Sequence, residues 1–244
     1  MNRKSFKRIT LLSLVLFGLI FVASASTAAA HSHGARFRVT LENLAAGQPL
    51  SPPVAVTHRL PVRLFTVGRP ASGAIEALAE DGNESVAVDM LTGATHVTEV
   101  VDVGMPLTPH GTTFGDFTDT VTFEISAQPG DRLSLASMLI CTNDGFTGAD
   151  GARLPRRGVV NYYLNAYDAG TEDNTEASSD IVDPCSALGP VGLNGDPNGN
   201  EDAAVNTDPA QNIQYHAGIA GTADLLEAHN WDGPIARLTI ERID

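Results

Sequence analysis

Past residue 30 this chain has no lysine. Lys4 and Lys7 are its only two, and every later basic residue is an arginine. The leading stretch holds four of the fifteen basic residues (Arg3, Lys4, Lys7, Arg8) and no acidic one, so the formal charge of −14 becomes −18 for residues 31–244. A surface that negative repels nucleic acid and anionic lipid and suits cations. Aromatic residues are also scarce, at 6% with Trp231 the one tryptophan, which leaves little to line the sugar cleft of a glycosidase. There is no G-x-S-x-G and no H-E-x-x-H, and neither cysteine has the setting of a nucleophile. These absences point away from an enzyme. Long apolar runs are limited to one, "ITLLSLVLFGLIFVASAS", which follows the basic "MNRKSFKR" and precedes the small residues "TAAA". That order predicts a secretory signal peptide over residues 1–30, cut after Ala30 or else after Ala25, with an uncleaved membrane anchor as the other reading, no membrane span in the remainder and a secreted, periplasmic or cell-surface destination.

About 214 residues then remain, enough for one sizeable core. Cysteine is down to two, Cys141 and Cys185. In an exported chain an even count predicts one disulfide, closing a loop of about 45 residues and contributing about 3–4 kcal/mol by restricting the unfolded chain. Two free thiols are the other arrangement.

What is abundant is short, alternating apolar patterning. In "ARFRVTLENL" Phe37, Val39 and Leu41 alternate with Arg36, Arg38 and Thr40. In "ARLTIERI" Ala236, Leu238 and Ile240 alternate with Arg237, Thr239 and Glu241. A period of two predicts half-buried strands. Similar segments occur at "PPVAVTH", "PVRLFTVG", "THVTEVVDVG", "TVTFEISA", "RLSLASM" and "VVNYYLNAYDAG", with Pro129-Gly130-Asp131 as one turn between them. Only "ASGAIEALAEDGN" (71–83) has helical spacing, at Ile75, Leu78 and Ala79. The pattern predicts a single all-β domain over residues 31–244: an antiparallel β-sandwich of about eight strands with little helix and long loops, the longest at 186–211.

Carboxylates crowd Asn165–Ile181, where Asp168, Glu172, Asp173, Glu176 and Asp180 fall within seventeen residues. A solvated loop, a catalytic pair and a cation site each account for such a stretch. Calcium takes six to eight oxygens, from carboxylates on loops and from backbone carbonyls that glycine leaves open. "CTNDGFTGADG" and "YDAGTEDN" each place Asp beside or near Gly after a strand; the same segments also read as two plain turns. If they hold a cation, Glu176 and Asp180 are expected to remain solvated surface.

Taken together, Ser137-Met138, Asp144-Gly145-Phe146-Thr147-Gly148, Tyr167-Asp168-Ala169-Gly170-Thr171-Glu172 and Pro234-Ile235-Ala236-Arg237-Leu238-Thr239 resemble the spondin domain, the N-terminal module of F-spondin-type matrix proteins. The resemblance runs over residues 35–243. It implies a sandwich that looks like a C2 domain and binds one calcium ion between loops, and a non-enzymatic role in adhesion or matrix and surface binding, with an extracellular protein or glycan as partner. The family's ligand carboxylates match Asp144, Asp168 and Glu172. The chain departs from the family at Gly145, where a tryptophan is usual, and at Glu172, where an aspartate is usual. Asp173 stands next to Glu172 as the alternative third ligand.

Other readings use other residues. Asp168 and Glu172 as an acid/base pair would make an exported carbohydrate-active hydrolase. A chain beginning at His31-Ser32-His33 has a free amine and a histidine at position three, a set that chelates copper or nickel in a periplasmic metal-handling protein. "NGDPNGNEDAAVN" starts like an EF-hand loop with Asp196, Asn198 and Asn200, then fails at Glu201 and Thr207, and reads as a solvated loop. His216 and His229 are too far apart in sequence for one helical turn and read as structural hydrogen-bonding groups.

Overall fold

The computed structural model describes residues 34–192 and 206–244. The expected signal peptide, the His31/His33 terminus and most of the EF-hand-like stretch lie outside them. Twelve strands run in chain order: β1 Ala35–Asn43, β2 Val54–His58, β3 Val97–Asp102, β4 Thr113–Phe114, β5 Phe117–Thr118, β6 Thr120–Ala127, β7 Arg132–Met138, β8 Gly145–Arg153, β9 Val159–Leu164, β10 Ala166–Asp168, β11 Gln214–Tyr215 and β12 Ala236–Arg242. Helices are short: α1 Gly73–Asp81, α2 Ser85–Leu91 and α3 Pro184–Leu188. One antiparallel sheet has the order β6-β1-β12-β9 and a second β11-β10-β8-β7-β2-β3, while β4 and β5 form a small separate ribbon. This is the expected all-β, antiparallel sandwich.

The alternation read in β1 and β12 is the reason the sheets face each other. Phe37, Val39, Leu41, Leu238 and Ile240 point inward against Leu133 and Leu135 of the other sheet. Each such side chain taken fully out of water contributes about 1.5–3 kcal/mol. The alternate residues point to solvent and pair across strands: Arg38 with Glu241 at 2.8 Å, Arg36 with Glu124, Arg237 with Glu42, and Thr40 with Thr122 at 2.9 Å.

The second sheet is covered on both faces. Val54, Val56, Ala136 and Phe146 pack outward against Ile75, Leu78, Ala87 and Leu91 of α1 and α2. That is why every residue of β2 is buried. Helix α1 starts at Ser72, whose hydroxyl accepts from the Ile75 N–H. It ends at Gly82 in the left-handed conformation, whose N–H donates to Leu78 O.

The described residues hold twelve strands rather than about eight and add the unexpected short helices α2 and α3, and two further segments differ from expectation. Residues 61–68 form no strand: Leu64 and Phe65 are buried, but the Leu64 N–H donates to the Asp150 carboxylate at 3.1 Å rather than to a ladder. "VVNYYLNAYDAG" is not one strand but two. The chain leaves the four-stranded sheet after Leu164 and joins the six-stranded sheet at Ala166, with Asn165 O accepting from Thr147 Oγ1 at the crossing. This corner sets Asp168 directly opposite Gly145, next to Asp144.

The disulfide forms as predicted. Cys141 and Cys185 are bonded with Cα atoms 5.1 Å apart, both fully buried. The bond ties the β7–β8 turn to α3 and encloses the acidic stretch. Gln48, also fully buried, fixes the same corner: its amide donates to Cys141 O and His229 O and accepts from the Cys141 N–H.

Candidate carboxylate centre

Asp144 closes the β7–β8 turn with no exposed surface. The turn is held by Thr142, whose hydroxyl donates to Leu139 O and accepts from the Gly145 N–H. A Cβ at position 145 would lie 2.4 Å from that hydroxyl oxygen, so the tight turn requires glycine there. The carboxylate of Asp144 reaches across to the loop after β10. Its Oδ2 accepts from the backbone N–H groups of Thr171 (2.8 Å) and Glu172 (3.1 Å) and faces the Thr171 hydroxyl at 3.3 Å. Its Oδ1 is buried and has no hydrogen-bond donor.

Asp168 and Glu172 come to the same place. Asp168 accepts from the Gly170 N–H at 2.8 Å and from the Asn174 amide at 2.9 Å. Gly170 takes the left-handed conformation that turns the chain there, with φ of 74°. Glu172 is 2% exposed. A fourth carboxylate joins from α1: Glu80 is 6% exposed and has an Oε1 that is buried without a donor.

The electrostatics follow from the crowding. Burial, and then the charge of Asp168, raise the Asp144 carboxyl to about 6 despite the hydrogen bonds it accepts. Burial raises Glu80 to about 7, with the Thr171 hydroxyl opposing and the charges of Glu76, Asp81 and Asp144 adding. Burial and then the charges of Glu80 and Asp144 push Glu172 up to about 9. Buried carboxylates side by side disfavour one another's ionised form, and a proton or a cation relieves that cost. No three carboxylates among the described residues bring their oxygens within 4.8 Å of one another. The one group of that kind is Cys141, Cys185 and His229, whose two sulfurs are bonded to each other.

Asp173 is not drawn into this centre. It is exposed, and its Oδ1 accepts from the Thr207 hydroxyl at 2.8 Å. Glu176 corrects the expectation of a solvated residue. It is 5% exposed, has a positive φ of 57°, and clamps the 219–222 segment by accepting from the Ala220 and Thr222 N–H groups and the Thr222 hydroxyl. Those donors hold its carboxyl below the ordinary range, against the opposing effect of burial. Asp180 accepts from the Thr175 and Ser179 hydroxyls. His229 is buried beside the disulfide with its Nδ1 accepting from the Leu226 N–H. His216 lies edge-on to Trp231, with ring centres 5.1 Å apart.

Glu80 is the member that sequence reading missed, and a signal was there. Helix α1 carries Glu76, Glu80 and Asp81 and has no basic residue in its last turn. Acid at the negative end of a helix dipole is unfavourable and marks a carboxylate retained for another reason. No protein-family model matches the chain, and no curated protein matches it.

Proposed function

We propose that this chain is an exported, non-enzymatic, spondin-like β-sandwich module that binds calcium through Glu80, Asp144 and Glu172, with Asp168 beside them, and serves adhesion or surface binding. One observation carries the reading: Asp144 Oδ1 is fully buried, has no donor and feels the charge of Asp168. A buried acceptor without a partner costs about 1–3 kcal/mol, more when charged. A cation removes that cost. The donor set is all oxygen and acidic, which fits a hard divalent ion. When bound, the ion supplies positive charge where three elements meet: the β7–β8 turn, the loop after β10, and the end of α1. The chain's own groups do the rest. Thr171 and Glu172 N–H orient Asp144, and Asn174 and Gly170 orient Asp168. Glu176 clamps a neighbouring loop, and the disulfide anchors the turn. Asp173 is left out of the ligand set because its side chain serves Thr207.

Burial also argues against the hydrolase reading. The pair that reading uses, Asp168 and Glu172, is 6% and 2% exposed, which leaves no open cleft for a sugar at those carboxylates. The disulfide fits an oxidising compartment outside the cytosol, and no helix among the described residues is long and apolar enough to cross a membrane. The test is thermal unfolding of residues 31–244 loaded with calcium and then treated with chelator. Chelator is expected to lower the Tm of the native protein and to leave the Tm of Asp144→Asn unchanged. An unchanged Tm in the loaded native protein rejects the reading.

A further inference from the structure

Eleven arginines are the only basic side chains after residue 30, apart from the histidines, in a stretch of charge −18. Six of them lie within 4 Å of a carboxylate: Arg36, Arg38, Arg59, Arg63, Arg237 and Arg242. Among the described residues Arg69, Arg132, Arg153, Arg156 and Arg157 have no such ion pair, and four of these five stand together where β7 begins and β8 turns into β9. Arg132 and Arg153 are directly opposite one another across β7 and β8. Like charges in that position are destabilising, and in so acidic a protein a carboxylate to neutralise them is the common choice. The two carboxylates that line the recesses beside them are committed elsewhere: the Asp131 side chain is 1% exposed and bonded to Arg59, Thr98 and the Gln128 N–H, and Asp150 pairs with Arg63 at 2.6 Å and accepts from the Leu64 N–H.

The arginines line a built recess. A groove of about 610 Å³ is walled by Arg132, Arg153, Arg156 and Arg242. A second, of about 410 Å³, shares Arg132 and Arg153 and is lined further along by Tyr162, Tyr163 and Tyr167. Tyr163 is 63% exposed, and the equally exposed Tyr215 stacks on Tyr167 with ring centres 5.4 Å apart. Exposed aromatic faces therefore continue directly from a cluster of unneutralised guanidinium groups.

We propose that this double groove binds an anionic polysaccharide, with carboxylate or sulfate groups on Arg132, Arg153 and Arg156 and neutral sugar rings against Tyr163. Guanidinium forks match carboxylate and sulfate oxygens, and the apolar face of a sugar ring packs on an exposed aromatic one. A strand of nucleic acid is the poorer fit. Its charge is continuous, whereas the positive surface here ends within the groove and the acidic remainder repels a long polyanion. The groove contains none of the carboxylates of the calcium centre, so the proposal stands apart from that reading.

The experiment is titration calorimetry of residues 31–244 with hyaluronan hexasaccharide, maltohexaose and a ten-base oligothymidylate, each in calcium and in chelator. Hyaluronan is expected to bind in the protein's folded form under both conditions, and the other two probes much more weakly. Arg153→Ala and Arg156→Ala should each weaken hyaluronan about tenfold, the worth of one charge-assisted hydrogen bond. Tyr163→Ala should weaken it without changing Tm, and Arg69→Ala, an equal loss of charge outside the groove, should leave it unchanged. No hyaluronan binding in either condition, equal binding of maltohexaose or of the oligonucleotide, or an equal loss with Arg69→Ala overturns the proposal. Loss of calcium binding with hyaluronan binding intact would count against the carboxylate centre alone.

Discussion

Glu80→Gln should change sign with the metal. Without an ion, Glu80 is a buried carboxyl whose folded value, about 7, lies above its ordinary 4.5. A group raised in this way gives its stability in full below the unfolded value and loses it as pH rises through the folded one. Between pH 5 and pH 8 the ion-free native protein must therefore either hold this proton more tightly or bear a buried charge. Full conversion of the shift at 1.36 kcal/mol per unit gives a little over 3 kcal/mol as an upper bound; relaxation of the neighbouring carboxylates in the ion-free protein leaves about 1–2 kcal/mol. Glutamine is close in shape and never ionises. In chelator at pH 8, Glu80→Gln is expected to be more stable than the native protein by about 1–2 kcal/mol, or roughly 2–8 °C in Tm for a domain of this size, and this gain should shrink toward pH 5. In saturating calcium the order should reverse, because the variant has lost a ligand carboxylate. Urea unfolding at the two pH values, with calcium and with chelator, reads all four states. A variant that is less stable than the native protein in chelator at pH 8, or a difference that does not depend on pH, would refute the electrostatic reasoning.

Three further outcomes follow from the same geometry. Cys141→Ala with Cys185→Ala should cost about 3–4 kcal/mol in urea unfolding, since the bond closes a long loop, and a cost below about 1 kcal/mol would show that the loop is restrained without it. Glu176→Gln should cost about 1.5–3 kcal/mol at pH 7, the worth of hydrogen bonds to a charged acceptor. Because the donors lower the folded value of Glu176, its stability is present above the ordinary carboxylate range and is lost as pH falls through the folded value, so native and variant Tm should converge in acid. Gly145→Ala should lower Tm by crowding the Thr142 hydroxyl, at about 1–3 kcal/mol, and should weaken calcium binding by moving Asp144; a variant with native Tm and affinity would show that the turn gives way freely.

The sandwich was legible because its two central strands obey a strict period of two. Phe37, Val39 and Leu41, and Leu238 and Ile240, mark one inner face without help from the rest of the chain. Helix α1 was legible from its spacing and its Asp81-Gly82 stop. The disulfide followed from cysteine count and the expected export. Less was visible where tertiary contacts decide. β2 is buried on both faces because α1 and α2 cover the second sheet, a fact that no local pattern in "VAVTH" records. The break at Asn165 depends on which sheet each half of the segment joins, and only that break brings Asp168 beside Asp144. The carboxylate pair from the two loops could be read from Asp-Gly turns and the spondin resemblance, but Glu80 arrives from a helix some sixty residues earlier in the chain. Glu176 looked like one more surface acid, because the backbone donors that bury it lie at 220–222 and backbone donors carry no residue signature.

Calcium titration of chelator-stripped residues 31–244 in two buffers of different ionisation enthalpy addresses the carboxylate centre most directly. At pH 7.5 the ion-free centre holds about one proton, chiefly on Glu172, which burial and its neighbours push up to about 9. The account predicts one calcium ion bound per chain with release of about one proton, and no binding by Asp144→Asn. A native protein that binds no calcium at millimolar concentration, or one that binds it with no proton released and equally well after Asp144→Asn, would contradict it.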